Sequence, residues 1–111
     1  MIRYKLGVFA EYLVLIYYIF KMYKILYHRY KTKVGEIDLI MLKNKQLVFI
    51  EVKARKNGMH EHIVSHNQQQ RISRTAELFI AKNNKYANYD LRFDLAIVEP
   101  FKLPQIIKNA W

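Results

Sequence analysis

Residues 35–55 read GEIDLIMLKNKQLVFIEVKAR. Two runs rich in Ile, Leu, Val and Phe flank the polar tetrapeptide KNKQ, and that pattern commits the segment to a β-hairpin. A turn centred between Asn44 and Lys45 pairs Leu42 with Leu47, Ile40 with Phe49, Asp38 with Glu51 and Glu36 with Lys53. Strand side chains alternate between faces. One face then carries Ile37, Leu39, Met41, Val48, Ile50 and Val52 and has to pack on a helix. The other is apolar only near the turn, at Ile40, Leu42, Leu47 and Phe49. Its far end is charged, with Glu36, Asp38, Glu51 and Lys53.

Directly opposed strand residues have Cβ atoms about 4.5–5.5 Å apart. Two partly buried carboxylates at that separation repel each other, and one pKa rises. A divalent cation reverses the sign of the interaction, because it needs oxygen ligands converging from two sides. Lys53 lies two residues beyond Glu51 on the same face and can reach a water or a phosphate oxygen there. Asp38 with the Glu51-x-Lys53 pair is therefore a candidate metal-and-lysine site, with Asp38 and Glu51 as the metal ligands. A solvated strand end with an ordinary Glu–Lys pair fits the same pattern.

Residues 5–24 read as a helix whose apolar residues run almost all round, so it is expected to be covered on more than one side. Residues 25–30 read as a short strand and 31–34 as a turn. The polar stretch 55–63 reads as a loop. Residues 65–83 read as a second helix, with Ser65 as N-cap and Ile72, Ala76, Phe79 and Ile80 as its apolar stripe. Residues 91–98 read as a strand, and QIIKNAW as a last strand or helical turn. The order α, β, β, β, α, β predicts an α/β fold, a mixed sheet with a central hairpin flanked by helices. The length is that of one domain, 1–111.

The chain carries 19 basic and 9 acidic residues, a formal net charge of +10. Such a balance favours a polyanionic partner, nucleic acid or an anionic membrane. The absence of cysteine excludes disulfides and thiolate metal sites and is compatible with a cytoplasmic protein. The apolar run YLVLIYYIF, residues 12–20, is far shorter than the about 20 residues of a transmembrane helix. Glu11 and the lack of a small-residue cleavage site argue against a signal peptide. No membrane is expected, although a first helix with its apolar face turned to solvent would favour a membrane-surface reading.

Several segments carry a family resemblance: GVFAEYL (7–13), VGEIDLI (34–40), LVFIEVKAR (47–55), the Gln-containing start of the second helix (68–72), RFDLAIV (92–98) and the terminal NAW. Together they cover the chain nearly end to end. The sequence resembles the YraN-type family of small bacterial proteins, placed in the PD-(D/E)XK nuclease superfamily. The resemblance implies a restriction-endonuclease-like fold and a metal-dependent nuclease hydrolysing phosphodiester bonds. DNA is expected in preference to RNA, with branched or structured DNA as one candidate substrate.

By the same resemblance, Asp38 and Glu51 would hold Mg2+ or Mn2+, which would polarise the phosphate and activate water. Lys53 would orient that water or stabilise charge developing on the phosphate. Glu11 on the first helix would join the site, as would Gln69, or Gln68 if the match slips by one residue. The family usually has Lys just before this Gln, and here the pair is Gln68–Gln69. A non-catalytic nucleic-acid-binding module is the alternative.

Arg55, Lys56, Arg71 and Arg74 flank the site in sequence and are candidate phosphate contacts. His60, His62 and His66 lie about the predicted loop with no carboxylate pattern to complete a metal site, and read as exposed. Asp94 interrupts an apolar strand; it either supports the site from behind its ligands or bonds to Arg92 or to backbone, and the structural role is the one expected. Glu36, facing Lys53, would orient or neutralise it.

Overall fold

The computed structural model describes residues 2–55 and 64–111, with side chains from residue 7 onward. Helix α1 (Ile2–Phe20) is followed by strands β1 (Lys24–Lys31), β2 (Glu36–Lys43) and β3 (Gln46–Ala54). Helix α2 (His66–Lys82), a 3₁₀ turn at Asn84–Tyr86, and strands β4 (Asp90–Val98) and β5 (Gln105–Ile107) complete the chain. The five strands form one sheet in the order β1-β2-β3-β4-β5. Every neighbouring pair is antiparallel except β3 and β4, which run parallel. Helix α2 makes the crossover that a parallel pair requires. The sheet is mixed, as the element order predicted, and the architecture is consistent with a restriction-endonuclease-like α/β fold.

The hairpin turns at Asn44, whose φ of 56° lies in the left-handed region that Asn tolerates. Leu42 pairs with Leu47 and Ile40 with Phe49, as alternation dictates. Each face of the sheet meets one helix. Ala10, Val14 and Tyr18 of α1 pack on Leu39, Met41, Val48, Ile50, Ala96 and Val98. Ile72, Ala76 and Phe79 of α2 pack on Ile40, Leu47 and Phe49. Ser65 caps α2, its hydroxyl accepting the Gln68 N–H at 3.1 Å.

Two expectations change. Helix α1 stops at Phe20 rather than reaching residue 24. Tyr23 N–H bonds to the Tyr18 carbonyl at 3.0 Å and Met22 N–H to the Ile19 carbonyl at 2.9 Å, with Met22 at φ 73°. This is a Schellman closure, with methionine in the place glycine usually holds. The second change is that α1 is covered on one side only. Phe9, Tyr12, Ile16, Ile19 and Phe20 face outward and are exposed.

Candidate metal and nucleic-acid site

The β2–β3 ladder ends at Leu39↔Ile50, one step short of the predicted Asp38–Glu51 pair. The expected Glu36–Lys53 pair therefore does not form either; on its other side Glu36 is partnered with Lys31 of β1. Strict alternation ends there too. Ile37 joins the α2 core instead of sharing the α1 core with Leu39. In place of a strand carbonyl, the Asp38 carboxylate accepts the Val52 N–H at 2.8 Å. The ladder has ended, but the two acidic side chains still meet. The Asp38 carboxyl is pushed up to about 8 by burial and by the charge of Glu51 alongside, against the lowering effect of the Val52 N–H.

Glu51 is buried, 8% exposed. Its Oε2 accepts the Gln68 side-chain amide at 2.5 Å and lies 3.1 Å from Lys53 Nζ. The glutamine at the site is therefore Gln68. The Gln69 side-chain amide donates to the Val64 carbonyl at 3.2 Å. One residue turns a helix by about 100°, so the choice between adjacent glutamines depends on how α2 seats on the sheet.

Glu11 projects from α1 toward β1. Its Oε1 takes His28 Nε2 at 2.8 Å and Arg29 Nε at 3.0 Å. Arg29 holds a left-handed backbone, φ 60°, where β1 passes the site. The Glu11 charge is felt at Asp38 and raises its pKa further, though less than burial and Glu51 do. Glu11 thus borders the site as an ion-paired group. No spacing rule in the sequence pointed to His28 or Arg29 as its partners.

A cleft of about 320 Å³ opens over Asp38 and Glu51, lined by Val34, Gly35, Glu36, Asp38, Glu51, Gln68, Arg71 and Ile72. Gly35 lets β2 start against α2. A Cβ there would sit 3.0 Å from Thr75 Oγ1 and 3.4 Å from Arg71 Cβ. Thr32 ties the preceding turn, its hydroxyl donating to the Gly35 carbonyl at 2.9 Å. Of the four candidate phosphate contacts, Arg71 lines the cleft. Arg74 is exposed on α2. Arg55 lines a separate groove on the α1 side. Lys56, His60 and His62 lie outside the described residues, and His66 is exposed at the start of α2.

Residues 10–98 match the uncharacterised protein family UPF0102. The chain belongs to the UPF0102 family. A UPF0102 protein of Ehrlichia ruminantium is 43% identical over 107 residues, spanning 96% of this chain and 83% of its own. One from Agrobacterium fabrum is 42% identical over 103 residues, 92% of this chain and 84% of its own. A third, from Rhodopseudomonas palustris, is 39% identical over 106 residues, covering 95% and 81%. The family is the YraN type that the motifs resemble.

In this UPF0102 chain the carboxylates that line the cleft are those of Glu36, Asp38 and Glu51, and Asp38 and Glu51 are the two that meet. Among the described residues, no group of three or more His, Asp or Glu side chains is arranged to hold a metal ion. A divalent cation seated here would fill its remaining positions with water and substrate oxygens, as Mg2+ commonly does. Asp94 has a different role. It is fully buried and accepts Tyr18 Oη at 2.7 Å and Arg92 Nε and Nη2 at 2.8 Å each. Arg92 also donates to Tyr23 Oη at 3.0 Å and Gln46 Oε1 at 3.1 Å. This network ties α1 to β4 and is structural, as expected for Asp94.

Proposed function

We propose that the chain is a metal-dependent nuclease hydrolysing phosphodiester bonds, with DNA favoured over RNA and branched or structured DNA among its candidate substrates. One observation carries the reading: two carboxylates, Asp38 and Glu51, meet beside Lys53 at the floor of an open cleft. An arrangement that raises the Asp38 pKa to about 8 weakens the fold at neutral pH. It becomes useful when a cation offsets the repulsion. The donor set fits Mg2+ or Mn2+, which when bound would polarise the phosphate and activate water.

The chain's own residues have separable tasks in this reading. Gln68 holds the Glu51 carboxylate in place through its amide. Lys53 sets a positive charge beside Glu51, 3.1 Å from its Oε2, where it can stabilise charge building on a phosphate oxygen. Arg71 at the cleft wall offers a phosphate contact. Glu11, clamped by His28 and Arg29, joins β1 to the site from the α1 side. A cytoplasmic location accords with this role and with the lack of cysteine.

The test is Mn2+-dependent cleavage of labelled single-stranded, duplex and branched DNA and of RNA, wild type against Lys53→Ala. Cleavage of none of them would replace the enzyme with a non-catalytic nucleic-acid-binding module. That second reading is favoured by one observation: among the described residues, no three or more His, Asp or Glu side chains are arranged to hold a metal ion.

A further inference from the structure

We propose that the outer face of α1 docks the protein onto an anionic lipid surface, leaving the cleft on the α2 side free. Among the described side chains of α1, Phe9 is 60% exposed, Ile16 56% and Phe20 84%, with Tyr12 and Ile19 about half exposed. At about 100° per residue they share one arc of the helix. A surface helix of a globular protein ordinarily shows charged residues on that arc. Between positions 9 and 20 the single charged residue is Glu11, and it points at His28 and Arg29.

The stripe does not stand alone. It runs into an apolar groove of about 1080 Å³, whose walls include Phe9, Leu13, Phe101 and Leu103. Phe101 and Leu103 are exposed, and Phe101 sits on a loop with a left-handed backbone, φ 61°. At the other end, exposed Met22 continues the patch. No helix of the described residues is long and apolar enough to cross a membrane, so the contact is one of lying on a surface. A helix with a bare apolar face buries it about 5–10 Å into the lipid headgroup boundary, with cations drawn to anionic headgroups.

Charge selects the occupant. Lys21 and Lys24 are exposed at the C-terminal end of the stripe, and Lys43 Nζ bonds to the Lys21 carbonyl beside them. Arg55 and Lys102 line the groove at the other end. The acid of that groove, Glu99, is buried and lies 3.7 Å from Lys102 Nζ. The apolar stripe is thus framed by cations, on a chain of net charge +10. A second copy would bring two such frames together, which like-charge repulsion opposes. An anionic bilayer meets both the apolar centre and the basic frame. Helices α1 and α2 cover opposite faces of the sheet, so docking through α1 keeps the cleft lined by Gln68 and Arg71 open to solvent.

The experiment is co-sedimentation of the full chain with vesicles of phosphatidylcholine alone and of phosphatidylcholine mixed with phosphatidylglycerol. Wild type is expected to pellet with the mixed vesicles, less so as salt rises. Ile16→Glu, on the exposed face, should keep the wild-type thermal midpoint and lose vesicle association by about tenfold or more. Leu103→Asp, on the groove wall, should weaken it in the same way. The proposal is overturned if wild type stays in the supernatant with both vesicle types. It is also overturned if Ile16→Glu pellets as well as wild type, which would leave charge alone at work. A third overturning result is a dimer by light scattering that Ile16→Glu splits, with no vesicle association.

Discussion

Asp38 accepts the Val52 backbone N–H through its carboxylate at 2.8 Å, just past the last paired residues of the hairpin. A side chain has taken the bond that a neighbouring strand would have made. This pins the carboxyl at the floor of the cleft, next to Glu51. The N–H favours the ionised form, yet burial and the Glu51 charge outweigh it and hold the Asp38 pKa near 8.

The first prediction is a pH dependence of stability in a chelator. The Asp38 pKa moves up on folding, from 3.8 to about 8. Between those values the folded state binds more protons than the unfolded one, so stability falls as pH rises. The contribution is fully present below about pH 4 and is lost as pH climbs through about 8. Urea unfolding in EDTA from pH 5 to pH 9 should show this decline. Asp38→Asn should decline less over the same range, and parallel curves for the two proteins would refute the assignment.

Divalent cation should reverse that loss. Binding to the folded state alone stabilises by about 2.7 kcal/mol at a hundredfold excess over Kd. Thermal unfolding with Mn2+ should show the midpoint rise in wild type and no rise in Asp38→Asn. Because binding requires ionised Asp38, Mn2+ affinity should increase toward pH 8, with proton release seen by calorimetry in buffers of different ionisation enthalpy.

Lys53 and Glu51 should separate by variant. Lys53→Ala keeps both carboxylates, so metal and nucleic-acid binding persist while cleavage falls by about 10²–10³-fold. Glu51→Gln removes a ligand, and metal affinity and cleavage fall together. Cleavage rates on labelled DNA, with Mn2+ affinity measured in parallel, distinguish the two patterns. Full activity in Lys53→Ala would remove the lysine from the mechanism.

Nucleic-acid affinity should be set by salt. A chain of net charge +10 is expected to bind with little regard to sequence and to weaken steeply as salt rises, through counterion release. Asp38→Asn removes a negative charge from the cleft and should bind as tightly as wild type or more so. Fluorescence anisotropy across a salt series measures both, and a flat salt response is the contrary result.

The Asp94 network should show in stability alone. Asp94 is fully buried, and Arg92 meets both its oxygens at 2.8 Å. Arg92→Met leaves that carboxylate without its cation and should cost about 3–5 kcal/mol. Arg92→Met with Asp94→Leu should recover much of the loss, since no buried charge then remains. Denaturant midpoints of the single and double variants give the comparison, and an equal loss in both would show that the ion pair is not the source.

Much of the sheet could be read from the chain because its causes are local. Alternation of apolar residues about a two-residue turn is enough to pair Leu42 with Leu47 and Ile40 with Phe49. The Ser65 hydroxyl finds the Gln68 N–H three residues away, so that cap too is written within one helical turn. The pattern also set Asp38, Glu51 and Lys53 near one another, although the Asp38–Glu51 meeting is held by the Val52 N–H on the Asp38 carboxylate rather than by ladder pairing. Tertiary packing decided the rest. The ladder stops at Leu39↔Ile50, and which glutamine reaches Glu51 depends on the rotation of α2 against the sheet. The clamp of His28 and Arg29 on Glu11 joins residues 17 and 18 positions apart, and the Tyr18–Asp94 bond spans 76. A helix apolar almost all round does not say which side the sheet will cover. Hydrogen bonds between near neighbours are specified by a few residues, whereas burial depends on where distant elements come to rest.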